Sequence, residues 1–330
     1  MRRVRYAALI ASCIWVTNFS VLAGITIDFD YSLDSNNFFA DANAKATLEA
    51  AGAFFEGLLD DTLDAINPSG TDTWTISFPH PGTGDNHQIV DKSIAADTLV
   101  VFAGARNIDG SSGVLAQADP WSFAAGGSTS FIDGVINRGE TGITDGNAVR
   151  LATETDFAPG GGMIVFDTSE SWHYDANPAS IANPTGGMID FFSVAIHELS
   201  HVLGYGSANG DVDNDGSWTG KVTAGEFTGA FSKQANGDAN VAMAGTSHWA
   251  DGTMSVRLLD GAVQEAAMDP SLNTDERKLY TNLDAMGLRD IGWEINIAPV
   301  PVPEPIGFAT TMSIGLIFLS WRHRRNLDLS

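Results

Sequence analysis

His197-Glu198-Leu199-Ser200-His201-Val202-Leu203-Gly204 is the stretch on which the reading of this chain turns. Residues four apart lie one above the other on a helix face, so the two imidazoles can chelate a single metal ion. The glutamate between them then reaches a water held by that ion. The chain has 7 His, and Glu occurs 11 times in its 330 residues. At those frequencies H-E-x-x-H arises by accident in roughly one such chain in two hundred, so it is a specific signal. Phe191, Phe192, Val194, Ala195, Ile196, Leu199, Val202 and Leu203 predict a mostly buried helix around it. Asp190 is the expected N-cap, and Gly204 the left-handed residue that ends the helix. Ser207, where a third histidine would extend the pattern, is a poor ligand. Another residue must complete a set of three.

The ends of the chain read differently from its middle. Arg2, Arg3 and Arg5 precede a largely apolar run from Tyr6 to Leu22, and Val21-Leu22-Ala23 offers small residues for cleavage. Residues 1–23 are therefore expected to be a secretory signal peptide removed by signal peptidase. Cys13 is the only cysteine, which leaves the mature chain without disulfides and its metal with nitrogen and oxygen ligands alone. At the other end, residues 298–305 (Ala-Pro-Val-Pro-Val-Pro-Glu-Pro) form an extended linker. Residues 306–321 carry no formal charge and read as a transmembrane segment, followed by a basic cytoplasmic tail over 322–330 with Arg322-His323-Arg324-Arg325. Pro303-Glu304-Pro305, an apolar helix and an arginine cluster, in that order, resemble the PEP-CTERM sorting signal of Gram-negative bacteria. The resemblance implies an exosortase partner and release or attachment outside the inner membrane, at the cell surface or in the extracellular matrix.

Between these ends, residues 24–297 are long enough for one large domain with a C-terminal subdomain from about 205. They hold 11 of the 17 Lys+Arg and 39 of the 41 Asp+Glu, a charge of −28. Such a surface argues against nucleic acid and anionic membranes as partners. Ile25, Ile27, Phe29 and Tyr31 alternate as a strand does. Leu48, Ala51, Phe55, Leu58, Leu59, Leu63 and Ile66 follow helical spacing up to Asn67-Pro68. Trp74, Ile76 and Phe78 alternate again, and Leu99 to Phe102 and Met163 to Phe166 are short apolar runs that fit central or edge strands. Met163 to Phe166 is the expected edge along which an extended substrate would lie.

Several residues compete for the third ligand position. His248 lies 47 residues after His201, and Glu226 lies 25 after it in a weakly helical, glycine-flanked segment. His173 could approach from upstream, although a surface or core role suits it better. Asp211, Asp213 and Asp215, with Gly216, match the first half of a Ca²⁺ loop, but Val222 stands where a bidentate glutamate is needed. A solvated acidic turn is the first reading of this segment, and a looser Ca²⁺ site the second. Ser200 and Ser207 have no base partner and read as structural.

Downstream, Met268-Asp269-Pro270 and then Tyr280-Thr281-Asn282-Leu283-Asp284, ending in Asp290-Ile291-Gly292-Trp293, complete an ordered series. From about 188 to 293 the chain resembles the leishmanolysin-like branch of the metzincins, in which an insertion separates the H-E-x-x-H-x-x-G element from its third histidine. The resemblance implies an α+β fold: a twisted mixed sheet with the active-site helix, then a mostly irregular or helical C-terminal subdomain with a Met-turn. It implies His197, His201 and His248 as zinc ligands, Glu198 as the catalytic acid and base, and Met268 as the Met-turn residue. The chain departs from the pattern in lacking the cysteines of eukaryotic members and in carrying Pro270 where some metzincins have a tyrosine. The implied function is a zinc endopeptidase that hydrolyses peptide bonds with a glutamate-assisted, zinc-bound water. Two alternatives stand beside it: a non-enzymatic surface or matrix protein with a structural or decayed site, and a thermolysin-like peptidase with Glu226 as third ligand.

Overall fold

Two cores, one on each face of a four-stranded sheet, account for most of the buried apolar residues. The computed structural model describes residues 24–108, 110, 113–140, 156–207, 217–295 and 297. Its first part runs β1 (Thr26–Asp30), α1 (Ala42–Leu58), β2 (Thr73–Pro79), β3 (Asn86–Val90), β4 (Thr98–Arg106), β5 (Ala116–Pro120), β6 (Ser122–Gly126), α2 (Thr129–Asn137), β7 (Gly161–Asp167) and α3 (Phe191–Val202). The main sheet has the order β1-β4-β7-β5, with β5 antiparallel to β7 and the other neighbours parallel.

Side-chain alternation distributes the strands between the cores. Leu99, Val101, Ala103 and Ala105 of β4, with Ile164 and Phe166 of β7, pack under α1 and α3. Val100, Phe102, Met163 and Val165 point the other way, against Trp74, Ile76 and Phe78 of β2. There β2 centres a second, antiparallel sheet of order β3-β2-β6. Because β7 is covered on both faces, every one of its residues is buried. It enters the sheet through Gly161, at φ 148°, where a Cβ would collide with the Val100 carbonyl.

This arrangement corrects two expectations. Met163 to Phe166 is not an edge: β7 is paired on both sides, and the edge strands of this sheet are β1 and β5, of which β5 lies beside β7. A short apolar run fits a central strand as well as an edge, and burial on both faces makes it central here. The first helix also stops at Leu58, short of Asn67-Pro68. Leu59 turns extended to bridge Ile295, and Asp60 N donates to Glu294 O at 2.9 Å. Leu63 and Ile66 are buried, as their spacing suggested, but outside any helix.

Two buried arginines hold loops to this frame. Arg138, fully buried, donates to the carbonyls of Asp64, Ala95, Thr98 and Pro159, joining the end of α2 to the entrances of β4 and β7. Arg277 donates to both oxygens of Asp190 at 2.9 and 3.1 Å and to the carbonyls of Asn177 and Ser180. Its guanidinium also lies 4.6 Å from the ring centre of Phe192.

After α3 the chain is richer in strand than expected. Val222–Thr223, Glu226–Phe227, Val241–Ala244 and His248–Trp249 form an antiparallel ladder, and Met254–Val256 pairs with Val263–Glu265. The helices there are α4 (Ala230–Ala235) and α5 (Asn282–Asp290). The expected signal peptide, linker, sorting helix and basic tail lie outside the described residues, as do Asp211, Asp213 and Asp215. No described helix is long and apolar enough to cross a membrane.

The seam where Leu59 bridges Ile295 contains a titratable group. Asp61, only 4 % exposed, accepts from Glu294 N through both oxygens at 3.0 and 3.1 Å. Burial pushes its carboxyl up to about 8, with Glu140 and Glu294 adding to the rise. Between about pH 4 and pH 8 the unfolded chain therefore ionises while the folded chain keeps the proton, and stability falls as pH rises through that window. Asp61→Asn is expected to reduce that fall by on the order of 1–3 kcal/mol, measured by urea unfolding at pH 5 and pH 8. Parallel pH dependences in the two proteins would clear Asp61 as the source.

Candidate metal centre

The active helix is fixed at its start by charge. Asp190 caps α3, its Oδ2 accepting from Ser193 N at 3.0 Å and from Ser193 Oγ at 2.6 Å, while Arg277 neutralises it from the other side. A carboxylate at a helix N-terminus also meets the positive end of the helix dipole.

Two turns further on, His197 and His201 project from one face, and His248 arrives from the short strand His248–Trp249. Their Nε2 atoms form a nearly equilateral triangle: 3.1 Å between His197 and His248, 3.2 Å between His201 and His248, 3.3 Å between His197 and His201. The other ring nitrogens reveal what these three atoms carry. His197 Nδ1 is 2.7 Å from Ala267 O, and His201 Nδ1 is 2.9 Å from Tyr205 O. Carbonyls only accept, so both Nδ1 atoms carry the proton and both Nε2 atoms present lone pairs. His248 Nδ1 meets Ser247 Oγ at 3.0 Å, which allows the same tautomer. With that tautomer on His248 too, three lone pairs face one another, an arrangement that repels unless a cation lies among them. A tetrahedral ion with Zn–N bonds of about 2.05 Å spaces its nitrogens by about 3.3 Å, so the donor set fits zinc.

Electrostatics point the same way. Burial, then the neighbouring imidazoles His201 and His248, hold His197 well below the usual histidine range. Burial, then His248, lowers His201 to about 4, and burial lowers His248 as well. All three are thus neutral near pH 7, the form that ligates. Glu198, 6 % exposed, is pushed up to about 8 by burial, with Asp119 adding to the rise. A dication beside it favours the ionised carboxylate and draws that value down again.

One further carboxylate organises the surroundings, and it escaped the sequence reading. Asp284, buried in the first turn of α5, accepts five hydrogen bonds: from Ala267 N, Met268 N, Trp249 Nε1, Thr281 N and Thr281 Oγ1, at 2.7–3.1 Å. It thereby joins the turn at 267–268, the strand bearing His248 and its own helix. Ala267 relays the contact, since its N–H binds Asp284 and its carbonyl binds His197. Met268, fully buried in that turn, accepts from Trp249 N at 3.0 Å. The Thr281-x-x-Asp284 capping box was the available signal, but it announces only a helix start.

The remaining candidates fall elsewhere. Among the described residues, the group of metal-ligating side chains is His197, His201 and His248. Glu226 is exposed on its own strand and accepts from Asn240 Nδ2 at 3.0 Å. His173 is half-buried in the two-residue strand that pairs with Ile189–Asp190. Ser200 and Ser207 bind the carbonyls of Ile196 and Gly204, as structural hydroxyls do.

Residues 129–211, about a quarter of the chain, match the family model described as Matrixin. The match includes His197, Glu198 and His201 and stops before His248. It supports a metzincin-type zinc metallopeptidase, and the mixed α+β architecture is consistent with a metzincin-like fold. No curated protein and no solved structure matches the chain.

Removing the Asp284 carboxylate leaves three backbone amides, a hydroxyl and an indole N–H without their buried acceptor. Asp284→Ala is expected to destabilise the fold by about 3 kcal/mol or more. It should also weaken zinc retention roughly 10–100-fold, as loss of an outer-shell partner does. Urea unfolding and competition with a chelator measure the two effects. Undiminished zinc affinity would separate Asp284 from the site.

Proposed function

We propose that this chain is an exported zinc-dependent endopeptidase, with His197, His201 and His248 as its metal ligands and Glu198 as its catalytic acid and base. The observation that carries the reading is the convergence of three imidazole Nε2 atoms, two of them from the helix that also bears the buried Glu198. A glutamate next to the ligands has no purpose in a purely structural site, where its burial would only cost stability.

Bound to the three imidazoles, Zn²⁺ supplies Lewis acidity towards water and the scissile carbonyl. The chain's own groups do the rest. Ala267 O and Tyr205 O hold the His197 and His201 rings in their ligating tautomer. Glu198 accepts the proton of the attacking water and delivers it to the departing amine nitrogen, so no side-chain nucleophile is needed. The open edge of β5 offers its backbone N–H and C=O groups to an extended peptide, which would lie there as an added strand.

The reading extends to the finer affiliation and to the site of action. The order His248, Met268 and the Asp290-Ile291-Gly292-Trp293 terminus supports a leishmanolysin-like member with Met268 in the Met-turn. The signal peptide and the Pro303-Glu304-Pro305 tail support export, sorting by an exosortase and action at the cell surface or in the matrix. Its partners are then protein or peptide substrates.

Zinc analysis and hydrolysis of a denatured protein test the proposal together. Wild type is expected to hold about one zinc per chain and to cleave. Glu198→Ala should keep the zinc and lose about 10²–10⁴-fold in kcat. His248→Ala should lose both zinc affinity and activity, while Glu226→Ala should lose neither. Full activity in His248→Ala would overturn the ligand set. A zinc-loaded wild type inert towards diverse peptides would overturn the peptidase.

A further inference from the structure

Beside the free edge of β5 lies a cavity of about 620 Å³ that hydrolysis itself leaves unused. Its position relative to the histidines is fixed by close contacts at two walls. At one wall are Gly206 and Ser207, five and six residues after His201. A Cβ on Gly206 would collide with Ser247, the neighbour of His248. At the other wall, the end of β5 presses on α3: a Cβ on Gly162 would lie 2.5 Å from Asp119 O and 2.9 Å from Val202 Cγ1. Val202 follows His201 directly. The cavity therefore reaches residues close in the chain to the imidazole cluster on one side, without touching its histidines, and the β5 strand edge on the other.

Its lining has a definite chemistry. Trp121, Phe123 and Phe78 provide an aromatic wall, of which Phe123 is 44 % exposed and open to contact. Asp119 provides charge. Alternation along β5 turns Ala116 and Ala118 towards α3, which sends Asp119 to the opposite face, where it lines the cavity. Among the described residues no hydrogen bond or ion pair engages its carboxylate. An acid against aromatic walls favours a cation with a long apolar stem. An arginine satisfies both halves, since its planar guanidinium stacks on rings and pairs in two-pronged fashion with a carboxylate. The chain's net charge of −24 attracts basic peptides from a distance.

We infer that this cavity is a specificity pocket for a basic side chain, arginine above lysine, within a few residues of the bond that is cut. Asp119 pairs with the cation and the Trp121–Phe123 wall receives the stem. The inference rests on the peptidase reading for its substrate class, and the test separates the two.

The experiment uses the full chain loaded with zinc and a set of quenched fluorescent peptides. These carry Arg, Lys, citrulline or Leu at each of three positions on either side of the scissile bond. Citrulline keeps the shape of arginine and removes its charge. At one position the kcat/KM ratio of Arg to citrulline is expected to be about tenfold or more, the size of one charge-assisted contact. In Asp119→Asn that ratio should fall to about two or less, while Asp119→Arg should shift the preference towards a Glu peptide. Binding of the same Arg and citrulline peptides to Glu198→Ala, followed by tryptophan fluorescence, gives a readout without turnover. Cleavage with no preference for a basic residue, or with a preference that survives Asp119→Asn, overturns the pocket and leaves the peptidase standing. Arg binding that depends on Asp119 in a protein that cleaves nothing keeps the pocket and removes the peptidase. Neither cleavage nor Asp119-dependent binding overturns both.

Discussion

Three imidazole Nε2 atoms held within 3.3 Å of one another constitute the constraint around which this molecule is arranged. Left to themselves, such groups would turn apart or take up protons. They stay because each ring is fixed from behind, two by backbone carbonyls and one by a hydroxyl. Those fixing groups are held in turn. Ala267 is pinned by Asp284, and the Tyr205 hydroxyl donates to the Asp284 carbonyl at 2.6 Å. The helix that carries two of the rings is locked at its start by the buried Asp190–Arg277 pair. The fold stores the cost of converging the three nitrogens in a scaffold of buried charges, and the incoming cation relieves it.

Buried carboxylates serve three distinct ends here, decided by what surrounds each. Asp190 is matched by a guanidinium and a helix terminus, which compensate its charge fully. Asp284 is matched by dipoles alone, five donors that must all be kept if the turn at 267–268 is to stay in register. Glu198 has neither compensation, so burial raises it towards neutrality. That lack of local pairing suits the proton-transfer role proposed for it.

The sequence was most legible where structure is local. The α3 helix, its Asp190 cap and the left-handed Gly204 follow from residues within a dozen positions. So do β2 and β4, whose alternating or continuous apolar runs mark them as strands. Legibility failed where the deciding partner is distant. Whether Met163–Phe166 lay at an edge depended on β4 and β5, and the cue was the pair Gly161-Gly162, where neighbouring backbones leave no room for a Cβ. The end of α1 at Leu58 depended on Glu294 and Ile295, more than two hundred residues away. Asp284 looked like a helix cap because its donors from residues 249, 267 and 268 cannot be read from its neighbours. His248 was accessible only through the order of the motifs around it.

The bridge between Leu59 and Ile295, with its companion bond from Asp60 N to Glu294 O, also has a bearing on time. A chain made from its N-terminus presents His197 and His201 long before Asp284 and Ile295 have emerged. Until those last residues dock, Ala267 has no anchor and His248 no fixed approach. The centre is therefore complete only once the chain extends past Asp284, and a shorter nascent chain carries its histidines without the means to bring them together. The pairing of Leu59 with Ile295 likewise waits for the far end of the domain, so the convergence of the three imidazoles is a late event in assembly.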